Sequence, residues 1–256
     1  LLTFEHAENQ KKFGYDKVIM LAGGVGYANS RDARKGDPKS GEKVVVLGGD
    51  NYRIGMGGGA VSSVNTGEYS SGIELNAVQR ANPEMQKRVA NVIRTLSESE
   101  ENPIVSIHDH GAGGHLNCLS ELVEQTGGVI EIDKLPVGDK TLSAKEIIGN
   151  ESQERMGLLV EQQEIDRIER IAARERAPMY VVGETTNDMR FTFRKQGEAN
   201  PIDMELADFF GKPPVTVMED STLEENYESP DYNTSELGTY IENVLKLEAV
   251  ACKDWL

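Results

Sequence analysis

Residues 104–123 read IVSIHDHGAGGHLNCLSELV, and the change of pattern inside this stretch decides the fold. Ile104-Val105-Ser106-Ile107 is a short β-branched run, which suits a strand. A Gly-rich turn follows at Gly111–Gly114. Leu119, Leu122 and Val123 then share one face of a helix predicted from about His115 to Gln125. A strand that turns directly into a helix is the repeating unit of a layered α/β or α+β domain.

The same alternation extends outward in both directions. Upstream, Lys17–Leu21 and Lys43–Leu47 read as strands; the second (KVVVL) is apolar enough for a buried position and runs into Gly48-Gly49. Asn82-Pro83-Glu84 is a helix start: Asn caps, Pro suits the first turn, and Glu favours the positive end of the helix. Met85, Val89, Val92, Ile93 and Leu96 follow at helical spacing. Downstream, strands are predicted at 129–132, 157–160, 179–182 and 189–193, with helices over 143–149 and from Ile165 to Ala172. Some strands follow one another without a helix between them, so the expected sheet is mixed. Residues 1–14 carry little pattern. Beyond Lys212, residues 219–236 are acidic and read as a linker, and Leu237, Ile241, Val244 and Leu245 mark a last amphipathic helix.

Composition excludes several classes. The 256 residues hold 27 Lys plus Arg against 43 Asp plus Glu, a formal charge of −16. That field disfavours nonspecific contact with nucleic acid or an anionic membrane, so an anionic ligand would need local donors or Mg²⁺. Two cysteines are too few for a disulfide framework or a four-cysteine zinc site, and they point to a reducing, cytoplasmic setting. No apolar run approaches the ~18–20 residues of a membrane span. The chain opens Leu-Leu-Thr, and is read as a piece of a longer protein.

Four short segments could carry chemistry. Gly55-Met56-Gly57-Gly58-Gly59-Ala60 lacks the Gly-Lys-Ser/Thr of a phosphate loop, and leaves open both ligand contact and close backbone packing. His108-Asp109-His110-Gly111 places a carboxylate between a strand and a helix N-terminus, where Asp109 could hold Mg²⁺ beside a phosphate. A zinc pair from His108 and His110 is the rival, but it lacks a convincing third ligand. Asn150-Glu151-Ser152-Gln153-Glu154-Arg155 is dense in hydrogen-bonding groups, yet from spacing alone a solvated turn is the better reading. Gln79-Arg80 precedes the capped helix; the Gln amide could read a polar substrate, although a surface glutamine is commoner. No nucleophile elbow occurs, and Cys118 reads as a small core residue.

Together these segments resemble the phosphoribosylformylglycinamidine synthase family. The likeness rests on Gly48-Gly49 with Ile54–Ser63, on Val78–Met85, on His108–Gly114 and on Asn150–Arg155, four motifs in one order. It runs from about Phe13 to Pro214 and is nearest to the large, single-chain form. The resemblance implies a three-layer α/β (α+β) domain with a mixed β-sheet, the first of two C-terminal-type domains of the aminoimidazole-ribonucleotide-synthetase superfamily. It divides the chain into an entry segment (1–14), that domain (15–214), and an acidic linker with a terminal helix (215–256).

The resemblance also implies an activity. The family is an ATP-dependent C–N ligase of purine biosynthesis that converts formylglycinamide ribonucleotide to formylglycinamidine ribonucleotide. ATP phosphorylates the formamide oxygen, and ammonia from a glutaminase domain displaces phosphate. By motif, Gln79, Glu151, Ser152 and Gln153 correspond to substrate-contacting residues and Asp109 to a Mg²⁺ ligand. Gly55, Gly57, Gly58 and Gly59 would let backbone approach the substrate or a partner domain. The expected partners are the ribonucleotide, the N-terminal-type ATP-binding domains and the glutaminase domain, and this segment alone would be inactive. Another enzyme of the same superfamily, or a non-catalytic assembly domain, is the alternative.

Overall fold

The computed structural model describes residues 5–14, 26–27, 30–56, 61, 64, 67–77, 82–152, 154–212, 215–217, 228–247 and 250. The strand expected at Lys17–Leu21 lies outside them. The chain divides into two compact units, Ala28–Pro213 and a smaller one from Leu1–Tyr27 with Pro214–Leu256.

In the smaller unit, β1 (Glu5–Glu8) and β2 (Lys11–Gly14) form an antiparallel hairpin. Asn9 and Gln10 make its two-residue turn with φ of 48° and 64°. Positive φ at both positions gives a turn whose twist matches the paired strands. This hairpin falls in the segment that showed little pattern.

The larger unit is built on a seven-stranded sheet. In chain order its elements are β3 (Lys43–Leu47), α1 (Ser71–Ala77), α2 (Pro83–Ser97), β4 (Ile104–Asp109), α3 (Gly114–Leu122), β5 (Gly128–Glu131), α4 (Ala144–Gly149), β6 (Met156–Val160), α5 (Ile165–Glu175), β7 (Met179–Thr185), β8 (Arg190–Arg194), β9 (Ile202–Glu205) and α6 (Leu206–Phe210). The strand order is β4-β6-β3-β7-β5-β8-β9. All pairs are antiparallel except β5–β8, so the sheet is mixed as expected. The last helix, α7 (Leu237–Leu245), belongs to the smaller unit.

Helices cover both faces of the sheet. Strand side chains alternate between faces. Val45, Leu47, Leu158 and Val160 therefore pack under α2 and α5, through Val89, Val92, Leu96, Ile168 and Ala172. Val44, Val46, Leu159 and Val182 pack on the other side with Cys118, Leu119 and Leu122 of α3 and Ile148 of α4. Strand β3 is buried on both faces, which is why its sequence is an unbroken apolar run. The cap of α2 forms as its sequence predicts: the Asn82 side chain accepts from the Met85 N–H at 3.0 Å, with Pro83 in the first turn. Among the described residues, no helix is long and apolar enough to cross a membrane.

Strand register defines one end of this sheet. Leu47, at the end of β3, pairs with Met156 of β6 and Met179 of β7. Asp109, at the end of β4, also pairs with Met156. The segments that follow β3 and β4 and the run that precedes β6 therefore emerge side by side.

Candidate functional site

Asp109 closes β4 with its carboxylate exposed, the side chain retaining 69% of its accessible surface. Its neighbour across the ladder begins β6, directly after the run 150–155. That run is not the solvated turn that its polarity suggests. Asn150, Glu151, Ser152, Glu154 and Arg155 are all buried, and Arg155 is the largest fully buried side chain of the described residues. A buried guanidinium needs partners on every side, because an uncompensated charge in the interior is very costly.

The partners come from three segments. Arg155 Nη1 donates to Asn51 Oδ1 and, at 3.0 Å, to His115 Nε2. Arg155 Nη2 donates to the Asn150 carbonyl at 2.8 Å and to Asn150 Oδ1 at 3.2 Å. Asn51 is fixed in turn by donating Nδ2–H to the Ile147 carbonyl at 2.9 Å. Asn150 donates through Nδ2 to the carbonyls of Tyr52 and Ile54, at 2.7 and 2.6 Å. His115 Nδ1 and His110 Nε2 lie 2.9 Å apart. Burial, and then the Arg155 charge, push the pKa of both imidazoles well below the ordinary histidine range, so both are neutral.

Backbone bonds complete the assembly. The His110 N–H donates to the Arg155 carbonyl and the Ser152 N–H to the His110 carbonyl, both at 3.3 Å. The Gly55 carbonyl accepts from the Glu151 N–H at 2.9 Å. A Cβ on Gly55 (φ +96°) would lie 2.2 Å from the Glu151 carbonyl oxygen, and one on Gly114 (φ +59°) 2.2 Å from that of Asn150. Both glycines are thus required by the passage of the 150–151 backbone. At Gly55, close backbone packing is the role that the geometry displays.

The structure brings together Gly55, Asp109, Glu151 and Ser152 from the sequence-derived site. Gln79, Gly57, Gly58, Gly59 and Gln153 lie outside the described residues. Sequence reading missed Asn51, His110 and His115 as parts of the same assembly. Their only signal was polarity next to strand ends, which many surface residues share. The His108 and His110 rings face different partners: His108 Nε2 contacts Glu121, and His110 Nε2 faces His115. Among the described residues, no group of three metal-ligating side chains occurs. Cys118 is buried, and burial raises its thiol pKa, so it is a core residue rather than a nucleophile. Within this assembly Ser152 Oγ and His110 Nδ1 are buried with no hydrogen-bond partner among the described residues.

Residues 39–196, which hold this assembly and most of the sheet, match the family described as AIR synthase related protein, C-terminal domain. The chain belongs to that family. As an AIR synthase C-terminal-type domain it is 40% identical, over 99% of its own length, to a phosphoribosylformylglycinamidine synthase of Saccharomyces cerevisiae. It spans about a fifth (19%) of that relative's length. Among solved structures, Thermotoga maritima PurL complexed with FGAR matches 81% of the domain-bearing chain and 35% of its own, with a TM-score of 0.66 at 22% identity. The same enzyme complexed with ATP matches 80% and 32%, with a TM-score of 0.60 at 21% identity. These structures share the α+β fold with a mixed sheet that the sequence resemblance implied.

Proposed function

We propose that this chain is a ligand-binding domain of an ATP- and glutamine-dependent ligase that converts formylglycinamide ribonucleotide to formylglycinamidine ribonucleotide. The observation that carries the reading is the convergence at one sheet end of an exposed carboxylate, Asp109, with the buried Glu151-Ser152 segment. The yeast relative, similar along almost the whole chain, bears the name of that ligase. The T. maritima enzyme with the same fold has been captured with FGAR and with ATP.

The roles follow from chemistry. Mg²⁺ keeps most of its waters and takes one or two carboxylates together with phosphate oxygens. An exposed carboxylate at a strand end suits that demand, so Asp109 is the residue that would hold Mg²⁺, an ion that would neutralise charge on a bound nucleotide. Ser152 Oγ, buried and without a hydrogen-bond partner among the described residues, would donate to or accept from a ligand hydroxyl or amide. Glu151 would accept from ribose hydroxyls. Gln79 and Gln153 would add amide contacts, and Gly57–Gly59 a close backbone approach.

The remaining walls of the site would come from N-terminal-type ATP-binding domains, and ammonia from a glutaminase domain, within a cytoplasmic purine-biosynthetic enzyme. The domain would occupy 15–214, with 1–14 as the entry segment and 215–256 leading onward. Alone, the segment would not turn over. The test is the full-length enzyme with ATP, Mg²⁺, ammonia and the ribonucleotide. Asp109→Asn should fold normally but weaken Mg²⁺-dependent turnover about 10-fold or more, through loss of one charge-assisted contact of about 1.5–3 kcal/mol. An unchanged rate and metal dependence would remove Asp109 from the site.

A further inference from the structure

Three segments carry the proposed ligand residues, and all three are tied to one side chain. Arg155 holds Asn150 directly, and with it the start of the Glu151-Ser152 segment. Through Asn51, and through the Asn150 amide on the Tyr52 and Ile54 carbonyls, it holds the approach to Gly55. Through His115 it reaches His110, the residue that follows Asp109. Arg155 itself is fully buried, so it acts on a ligand only through these neighbours.

The proton positions in this chain of contacts follow from one fact. A guanidinium only donates, and a neutral imidazole has one donor and one acceptor nitrogen. Arg155 Nη1 faces His115 Nε2, so Nε2 is bare and the His115 proton sits on Nδ1. That proton points to His110 Nε2, which is therefore bare as well, and the His110 proton sits on Nδ1. The direction is set by the arginine, and every bond in the series is polarised in the same sense.

We propose that Arg155 is a positioning residue that sets the spacing between the Asp109-His110 and Asn150–Ser152 segments, with His115 and His110 locked as a neutral, Nδ1-protonated relay between them. The inference rests on the ligand-binding reading given above. Lysine cannot replace this arginine, because an ammonium lacks the planar fork that reaches Asn51, His115 and Asn150 together.

Two measurements test it. The chain has four histidines, so ring ¹⁵N spectra can be assigned one by one. In the unsubstituted chain, His110 and His115 should both report a protonated Nδ1 and a bare Nε2; an Nε2-protonated ring at either position overturns the relay. In the full-length enzyme, Arg155→Lys should lower kcat/KM for the ribonucleotide about 10- to 100-fold per folded molecule, the range seen when supporting residues of a site are lost. A merely structural arginine would change the melting temperature and leave kcat and KM of the folded fraction unaltered. A folded Arg155→Lys enzyme within twofold of wild type therefore overturns the positioning role. If that variant fails to fold, the ring tautomers and the kinetics of His115→Gln decide in its place: normal kcat/KM in His115→Gln refutes the relay. Absence of ligase turnover in the unsubstituted enzyme would refute the ligase reading instead, and the tautomers would still judge the relay.

Discussion

Single residues in this domain are constrained by what passes beside them. Gly114 shows this most sharply, with φ of +59° and the Asn150 carbonyl in the space that a Cβ would fill. Gly114→Ala combines backbone strain with a displacement of the 150–151 backbone, and should destabilise by about 2–4 kcal/mol in urea unfolding. Gly72, where a Cβ would meet nothing within 4 Å among the described residues, is the control: Gly72→Ala in α1 should be neutral or slightly stabilising. The sequence marked residues 111–114 as a glycine turn. It did not reveal that Gly114 is needed because a segment about forty residues downstream lies against it. Polarity misled in the same way at 150–155, where a run of amides and charges reads as surface. Its burial is decided by Asn51, His110 and His115, donors and acceptors supplied by other parts of the chain.

At the scale of elements, legibility tracked local signals. The Asn82 cap, the apolar stripe of α2 and the KVVVL strand each carry their own pattern, and each formed within a residue or two of the predicted bounds. The helix predicted to reach Gln125 ends at Leu122, with Val123 as its cap and turns leading to Gly127, whose φ is +85°. The hairpin at 5–14, α1 and β9 were not anticipated. Strand β9, Ile202–Glu205, exposes three of its four residues and so lacks a buried face to betray it. Helix α4 has a reciprocal cap: Ser143 Oγ accepts from the Glu146 N–H, and the Glu146 carboxylate accepts from the Ser143 N–H at 2.7 Å. Ser143→Ala should cost about 1 kcal/mol by denaturant midpoint. Leu96→Ala, in the layer between α2 and the sheet, should cost about 2–5 kcal/mol by the same measurement. Ile241→Ala, on the half-exposed face of α7, should change stability by about 0.5 kcal/mol or less.

For the molecule as a whole, the buried histidine pair couples folding to acidity. Both imidazoles have a pKa far below the roughly 6.5 of an unfolded histidine. Below that pH the unfolded chain binds protons that the folded chain refuses, so stability rises with pH across this window. Their contribution is complete above about pH 6.5 and declines as pH falls, by up to about 1.4 kcal/mol per unit for each ring. Urea titrations between pH 7.5 and 5.5 should show this slope, and His115→Gln should flatten it by about half. Carboxylates with lowered pKa, Glu131 beside Arg194 and Glu146 beside Ser143 among them, act only at more acid pH, below their ordinary range.

Strand β3 lies inside the sheet, third of seven strands, yet both of its neighbours are encoded far behind it. Leu47 waits for Met156, about a hundred residues later, and then for Met179. At roughly 5–20 residues per second, a ribosome needs on the order of 5–20 s to deliver the first of these partners. During that interval the nascent Val44–Leu47 segment lacks both of its sheet partners, and β-rich, apolar stretches in that state are the ones that stick to each other. Newly made chains should therefore engage holding chaperones at this segment, and slowing translation between codons 48 and 155 should lower the soluble yield more than an equal delay after codon 185.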